Sequence, residues 1–323
     1  MEELKESIER ARNLRPSSVN AYVFNVIKLH DHMYGNKDFK NIEWIVKDQK
    51  KIMEYLNKQK ITTRKTILAS LIVALTSDDK EKHKEVVQKY RDVMVSDTKE
   101  YKTIQQEQKK TQSESENWTS LEVLRAVLNK YKKELNDRGV FSGKDEELKR
   151  RDFELLQKYV VGFLYIGDDE FNPPQRNVYG TTKIISLKDY NNLSKEELKQ
   201  NYLVVQSKNN KFFSLGDYKT EKTYGINRIP AGKKLNAVLN IWLHHNKSDF
   251  LILNSKGAMM GTNGLTKYLN SVFAPSGKKN ISSTMLRHIF ITEKISGPSY
   301  AEKQDIAKKM GHSVDTQEIY RKT

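Results

Sequence analysis

Ser283-Thr284-Met285-Leu286-Arg287-His288-Ile289-Phe290 sets an arginine in a helical stretch with apolar neighbours, and Met310-Gly311-His312-Ser313 follows, with Tyr320 eight positions beyond His312. Each feature has an ordinary explanation when taken alone. An Arg-His pair on a helix is usually solvated or ion-paired. Gly-His is common at a helix end, where glycine caps and histidine meets the dipole. A tyrosine near a terminus is usually a packing residue. His288 adjoins Arg287 and so points to a different helix face, which favours a structural hydrogen bond for it.

Working outward, helical patterns continue on both sides, near 231–245, 262–273, 281–295 and 301–310. Before them lie four β-type segments, Thr182–Leu187, Tyr202–Gln206, Lys211–Leu215 and Tyr224–Ile229. Asn172-Pro173-Pro174 breaks the pattern upstream. Two helices precede that break, one with Leu121, Leu124, Leu128 and Tyr131, the other with Phe153, Leu156, Val160, Phe163 and Leu164. Residues 104–117, IQQEQKKTQSESEN, hold one apolar residue and cannot bury a core, so they read as a linker or as a continuation of the preceding helix. The first hundred residues show only helical periodicity. Ser17 or Ser18 is the expected cap of a helix carrying Val19, Tyr22, Val23, Val26, Leu29, His30 and Met33. Further helices follow around Trp44–Leu56, from Thr62 or Thr63 through Leu75, and from about Asp79 to Lys102. The expectation is a mainly α chain: a helical domain over 1–103, a linker over 104–117, and an α+β domain over 118–323 that holds a small antiparallel sheet.

The 323 residues carry a net charge of +16, from 57 Lys plus Arg against 41 Asp plus Glu, and the basic residues are spread through both halves. Such an excess points to a polyanion, nucleic acid before an anionic membrane surface, unless the lysines serve only solubility. With no cysteine, disulfide frameworks, Cys-based zinc sites and thiol nucleophiles are excluded. No apolar run approaches membrane-spanning length, and the first residues, MEELKESIERARNL, are charged and helix-like and not of secretory character. An intracellular, DNA-associated location is expected, whether host nucleus, viral factory or bacterial cytoplasm. No cofactor or metal is expected, and the seven histidines form no convincing ligand cluster.

Breaking a DNA backbone without a metal needs a nucleophile for phosphorus and fixed cations for the charge that spreads over the phosphate oxygens. It also needs an acid for the leaving oxygen. Arginine suits the second task, because its planar fork bonds two oxygens and keeps its charge. Tyrosine suits the first, provided an electropositive site lowers its barrier to ionisation. TMLRHIF followed by MGHSVDTQEIY collects these chemistries, and it resembles the C-terminal signature of tyrosine recombinases and integrases. Two earlier segments fit the same family. PPQRNVY places Arg176 where the family keeps its first arginine, and Tyr218-Lys219-Thr220 occupies the strand turn that carries the family lysine. SVNAYVFNVIKLH and TTRKTILASLIVAL have the texture of the family's core-binding (SAM-like) domain. The Pro-Pro-x-Arg form looks most like recombinases of large DNA viruses and their mobile elements.

The resemblance implies that Arg176 and Arg287 clamp the scissile phosphate and that Lys219, with Lys222 as its competitor, protonates the leaving oxygen. It implies that His312 bonds a phosphate oxygen or assists proton transfer, and that Tyr320 attacks to form a 3′-phosphotyrosyl link. It further implies double-stranded DNA held by two domains closing as a clamp, with a homotetramer on two DNA sites. The chain departs from the pattern in three places. Thr284 stands where the family usually has histidine, and it is a poor base though able to contact phosphate. Asn177 follows Arg176 without the acidic residue often found there. The spacing from His312 to Tyr320 is one residue shorter than in bacterial members. Rival readings are a type IB topoisomerase that relaxes DNA as a monomer, a catalytically inactive relative that only binds DNA, and an RNA- or membrane-surface-binding protein.

Overall fold

The computed structural model describes residues 2–35, 38–142, 147–167, 173–294 and 300–322. Of the positions singled out above, Asn172 and Ile295 lie outside the described residues. The chain is mainly α, with sixteen α-helices and one four-stranded sheet among the described residues, in two compact units, Met1–Glu107 and Gln108–Thr323.

The first unit consists of α1 (Glu2–Ala11), α2 (Pro16–Tyr34), α3 (Glu43–Lys47), α4 (Gln49–Asn57), α5 (Ile61–Asp78) and α6 (Lys84–Gln106). Its core joins Ile8, Val26, Ile45, Ile52, Leu56, Leu68, Leu71 and Leu75, all essentially inaccessible. α5 sits at the centre, with a continuous buried run from Leu71 to Leu75. Neither Ser17 nor Ser18 caps α2. Pro16 starts the helix, because a first-turn proline gives up no intrahelical bond and already has a helical φ. α6 begins later than its pattern predicts. Asp79 Oδ1 accepts from the Glu81 and Lys82 amides and closes a separate turn ahead of the helix.

The second unit opens with α7 (Gln112–Asn117), inside the stretch whose composition reads as a linker. Composition missed a local device. Thr111 accepts from the Glu114 amide while Glu114 Oε2 accepts from the Thr111 amide, a capping box that holds a polar turn without a core of its own. Then come α8 (Leu121–Asp137), α9 (Arg150–Ile166), β1 (Lys183–Ser186), α10 (Leu187–Asn191), β2 (Asn201–Ser207), β3 (Asn210–Leu215), α11 (Glu221–Tyr224) and β4 (Asn227–Pro230). The helices α12 (Lys233–His245), α13 (Thr262–Phe273), α14 (Ser283–Lys294), α15 (Tyr300–Lys309) and α16 (Val314–Tyr320) complete it.

The sheet has the order β1-β2-β3-β4 and is mixed, not antiparallel throughout. β2, β3 and β4 pair antiparallel, but β1 runs parallel to β2, because α10 carries the chain back across the sheet end before β2 begins. The last expected strand is shifted. Tyr224 ends α11, and Gly225 at φ 67° turns the chain into β4. Alternation places Leu203 and Phe213 in the main helical core, while Tyr202, Val204 and Phe212 pack with Tyr190 on the other face. Lys183 to Ser186 align with Tyr202 to Val205.

Candidate active site

Arg287 lies on the inward face of α14 and is 1% exposed. Its Nη1 donates to the carbonyls of Pro174 (3.1 Å) and Met310 (3.3 Å), and its Nη2 lies 2.6 Å from His312 Nδ1. Nε has no partner. No carboxylate pairs with this guanidinium among the described residues. Burial lowers the Arg287 pKa to about 10, and the charge on Arg176 works the same way, so the group is still a cation near neutrality.

The corner that presents His312 is built by a helix end. The His312 amide reaches back to the Ala307 carbonyl, and the Gly311 amide to Lys308, a Schellman closure of α15. Gly311 sits at φ 64°, and a Cβ there would stand 3.1 Å from the Tyr218 ring, so both backbone and space call for glycine. Ser313 then caps α16 by accepting from the Thr316 amide. A guanidinium only donates, so His312 Nδ1 must accept, and the neutral ring carries its proton on Nε2. That Nε2–H is buried and makes no well-formed hydrogen bond, with the Gln317 side chain lying against the ring. Burial, then the charges of Arg287 and Arg176, depress the His312 pKa to about 3. At neutral pH this histidine is a fixed, uncharged donor.

Tyr320 closes α16 beneath these groups. The Arg287 guanidinium lies 5.3 Å from its ring centroid, and the His312 ring meets it edge-on at 5.3 Å. Arg176 Nη2 points at the phenol oxygen from 3.5 Å, and Arg176 Nη1 is buried without a partner. Burial opposes ionisation of Tyr320, but the charge on Arg287 and the hydrogen bond and charge from Arg176 outweigh it and lower the pKa. Arg176 is positioned by its neighbours. Gln175 Nε2 bonds the carbonyls of Pro173 and Lys309, and the Tyr165 hydroxyl bonds the Arg176 carbonyl.

Arg176, Arg287, His312 and Tyr320 therefore converge. Lys219 is exposed in the turn after β3 and makes no hydrogen bond or ion pair among the described residues. The residues beside it fix that turn to the His312 corner, with Thr220 Oγ1 donating to the Gly311 carbonyl at 2.6 Å. Lys222 is exposed on α11. Thr284 is exposed on the first turn of α14. His288 is buried and holds Glu114, as a structural hydrogen bond would. Sequence reading missed Gln317, which is fully buried, lies against the His312 side chain and stands one turn before Tyr320 on the same face of α16. It also missed Glu114, although Thr111-Gln112-Ser113-Glu114 carries the capping-box pattern.

No helix among the described residues is long and apolar enough to cross a membrane. No protein-family model matches the chain, and no curated protein matches it. Among solved structures, the chain is similar to the crystal structure of XerA recombinase, with 12% sequence identity and a TM-score of 0.39 over 99% of this chain and 93% of that one.

Proposed function

We propose that this protein binds duplex DNA and cleaves and rejoins its strands through a 3′-phosphotyrosyl intermediate, as a tyrosine recombinase does. One observation carries the reading. Two arginines, with no carboxylate partner among the described residues and with buried N–H groups left over, bracket a tyrosine whose ionisation they favour. A buried, uncompensated cation is costly, and a bound phosphate supplies both the charge and the acceptors that it lacks.

In this mechanism Tyr320 gives its proton to solvent, its Oη attacks phosphorus, and the bond from phosphorus to the 5′ oxygen breaks. Arg176 and Arg287 hold the non-bridging oxygens, and His312 donates from Nε2 to one of them. Lys219, close to the site through its turn, gives a proton to the leaving oxygen and frees a 5′-hydroxyl. The phosphotyrosyl bond keeps the phosphodiester's energy, so a 5′-hydroxyl from the same or another DNA end reverses the step. The first unit, Met1–Glu107, serves as the core-binding domain and the second, Gln108–Thr323, as the catalytic domain, with four protomers on two sites for exchange. The +16 charge makes affinity salt-dependent through counterion release.

Covalent trapping tests the reading. Duplexes with nicks or 5′-bridging phosphorothiolates at candidate positions are incubated with the protein, and SDS-resistant adducts are scored beside Tyr320→Phe. The expected outcome is an adduct that Tyr320→Phe abolishes. An undiminished adduct in that variant, or tight binding with no adduct on any substrate, sinks the proposal. The second result leaves a protein that binds DNA without cutting it.

A further inference from the structure

The segment that opens the second unit has the composition of a spacer, yet its side chains reach the two helices that carry Arg287 and Tyr320. Glu114 Oε1 lies 2.7 Å from His288 Nδ1, with the two side chains only 14% and 11% exposed. A carboxylate only accepts, so His288 donates from Nδ1, and its ring plane is set by that bond. The same ring packs on Tyr320 with 4.9 Å between centroids. The ties extend to both sides of Tyr320. Two residues after it, Lys322 Nζ stands 3.9 Å from the same Glu114 oxygen, and the Lys322 amide is held by Thr292 Oγ1 of α14. Two residues before it, the Glu318 carbonyl accepts from Gln108 Nε2 at 2.8 Å.

We infer that Glu114 is a positioning residue for Tyr320, acting through the His288 ring that it orients. The inference rests on Tyr320 being the nucleophile proposed above. Arg287 and His288 are consecutive on α14, so one helix turn presents the phosphate-binding guanidinium to one side of the tyrosine and the supporting imidazole to another. Glu114 touches no reacting atom. It fixes the angle at which the phenol faces the arginines, and attack on phosphorus is sensitive to such angles. The residue also caps α7, so its two duties must be separated.

The full-length protein is labelled with 3-fluorotyrosine, and the ¹⁹F resonance of Tyr320 is assigned by its loss in Tyr320→Phe. Glu114→Ala is expected to move that resonance and to slow adduct formation about tenfold or more, with DNA affinity held within about twofold. Glu114→Gln retains an oxygen that accepts from His288, and it is expected to recover most of both losses. Thr111→Ala removes the same helix cap without touching His288, and it is expected to leave resonance and rate near the parent values. An unmoved Tyr320 resonance in Glu114→Ala, or a Thr111→Ala variant that reproduces its effects, overturns the inference. If the parent forms no adduct, the recombinase reading fails, while the resonance still reports whether Glu114 holds Tyr320.

Discussion

Two arginines, one in each unit, have opposite surroundings. In the first unit Arg64 Nε donates to Asp97 Oδ2 at 2.7 Å and its Nη2 bonds the other carboxylate oxygen, a bidentate pair that ties α5 to α6. Asp97 is 3% exposed, and its charge is matched where it lies. In the second unit Arg287 is buried more completely, but it meets two carbonyls, a neutral histidine and the edge of another arginine's field. Arg64 is complete as folded. Arg287 is held open, with its charge balanced by no acid among the described residues. A counter-charge, present at Arg64 and absent among the described residues at Arg287, is what distinguishes the two.

The largest expected effect tests that contrast directly. Arg287→Met should slow adduct formation by about 10³-fold or more, since it removes a fixed cation from the phosphate. In urea unfolding it should leave stability unchanged or raise it, because an uncompensated buried charge is removed. Arg64→Met should do the reverse, costing about 2–3 kcal/mol by stranding Asp97 while the folded molecules still cleave. Equal stability losses in the two variants would mean that Arg287 is a structural residue and would erase the distinction.

A smaller effect separates the exposed turn from the buried cluster. Lys219→Ala should slow cleavage of an ordinary phosphodiester about 10²-fold, while Lys222→Ala stays within about threefold. A 5′-bridging phosphorothiolate, whose thiolate leaves unaided, should restore the Lys219→Ala rate. Rescue of Lys222→Ala alone would transfer the acid role to that residue.

The smallest effect concerns His312 and acid. Its pKa is about 3 in the folded protein against an ordinary 6.5, so the unfolded chain binds the proton more readily. The stabilisation from keeping it neutral is whole above the unfolded pKa and is lost progressively as pH falls from there toward 3. Between neutrality and pH 5 the parent should lose about 2 kcal/mol more than His312→Gln, measured by urea unfolding at each pH. Parallel pH curves for the two proteins would show that the ring is not buried as a neutral donor.

Much of this arrangement was legible in residue types. Arg287, His312 and Tyr320 each have an ordinary explanation alone, and they were legible through the resemblance of TMLRHIF followed by MGHSVDTQEIY to a family signature. The helices near Phe153 and Thr262 follow from periodicity. Relations set by tertiary contact were not legible. The parallel pairing of β1 depends on where α10 returns the chain. The placement of Arg176 depends on Gln175 reaching the carbonyl of Lys309, far along the sequence. Gln317 looks like any polar helix residue until its burial is known. The capping box at Thr111 was visible, but the low hydrophobicity around it argued for a spacer, and composition prevailed over a local pattern that proved stronger.

The short helix α7 has a consequence for anyone who would transplant these units. A splice at Trp118 would appear tidy, because it cuts a polar stretch and keeps every group that contacts phosphate in the proposed chemistry. It would nevertheless discard Gln108 and Glu114, the anchors on either side of the tyrosine. A junction between Gln106 and Gln108 keeps them. The portable module thus starts in a stretch whose composition suggests free variation, and tolerance to substitution there should be sharply uneven, low at Gln108 and Glu114 and high at the exposed positions between them.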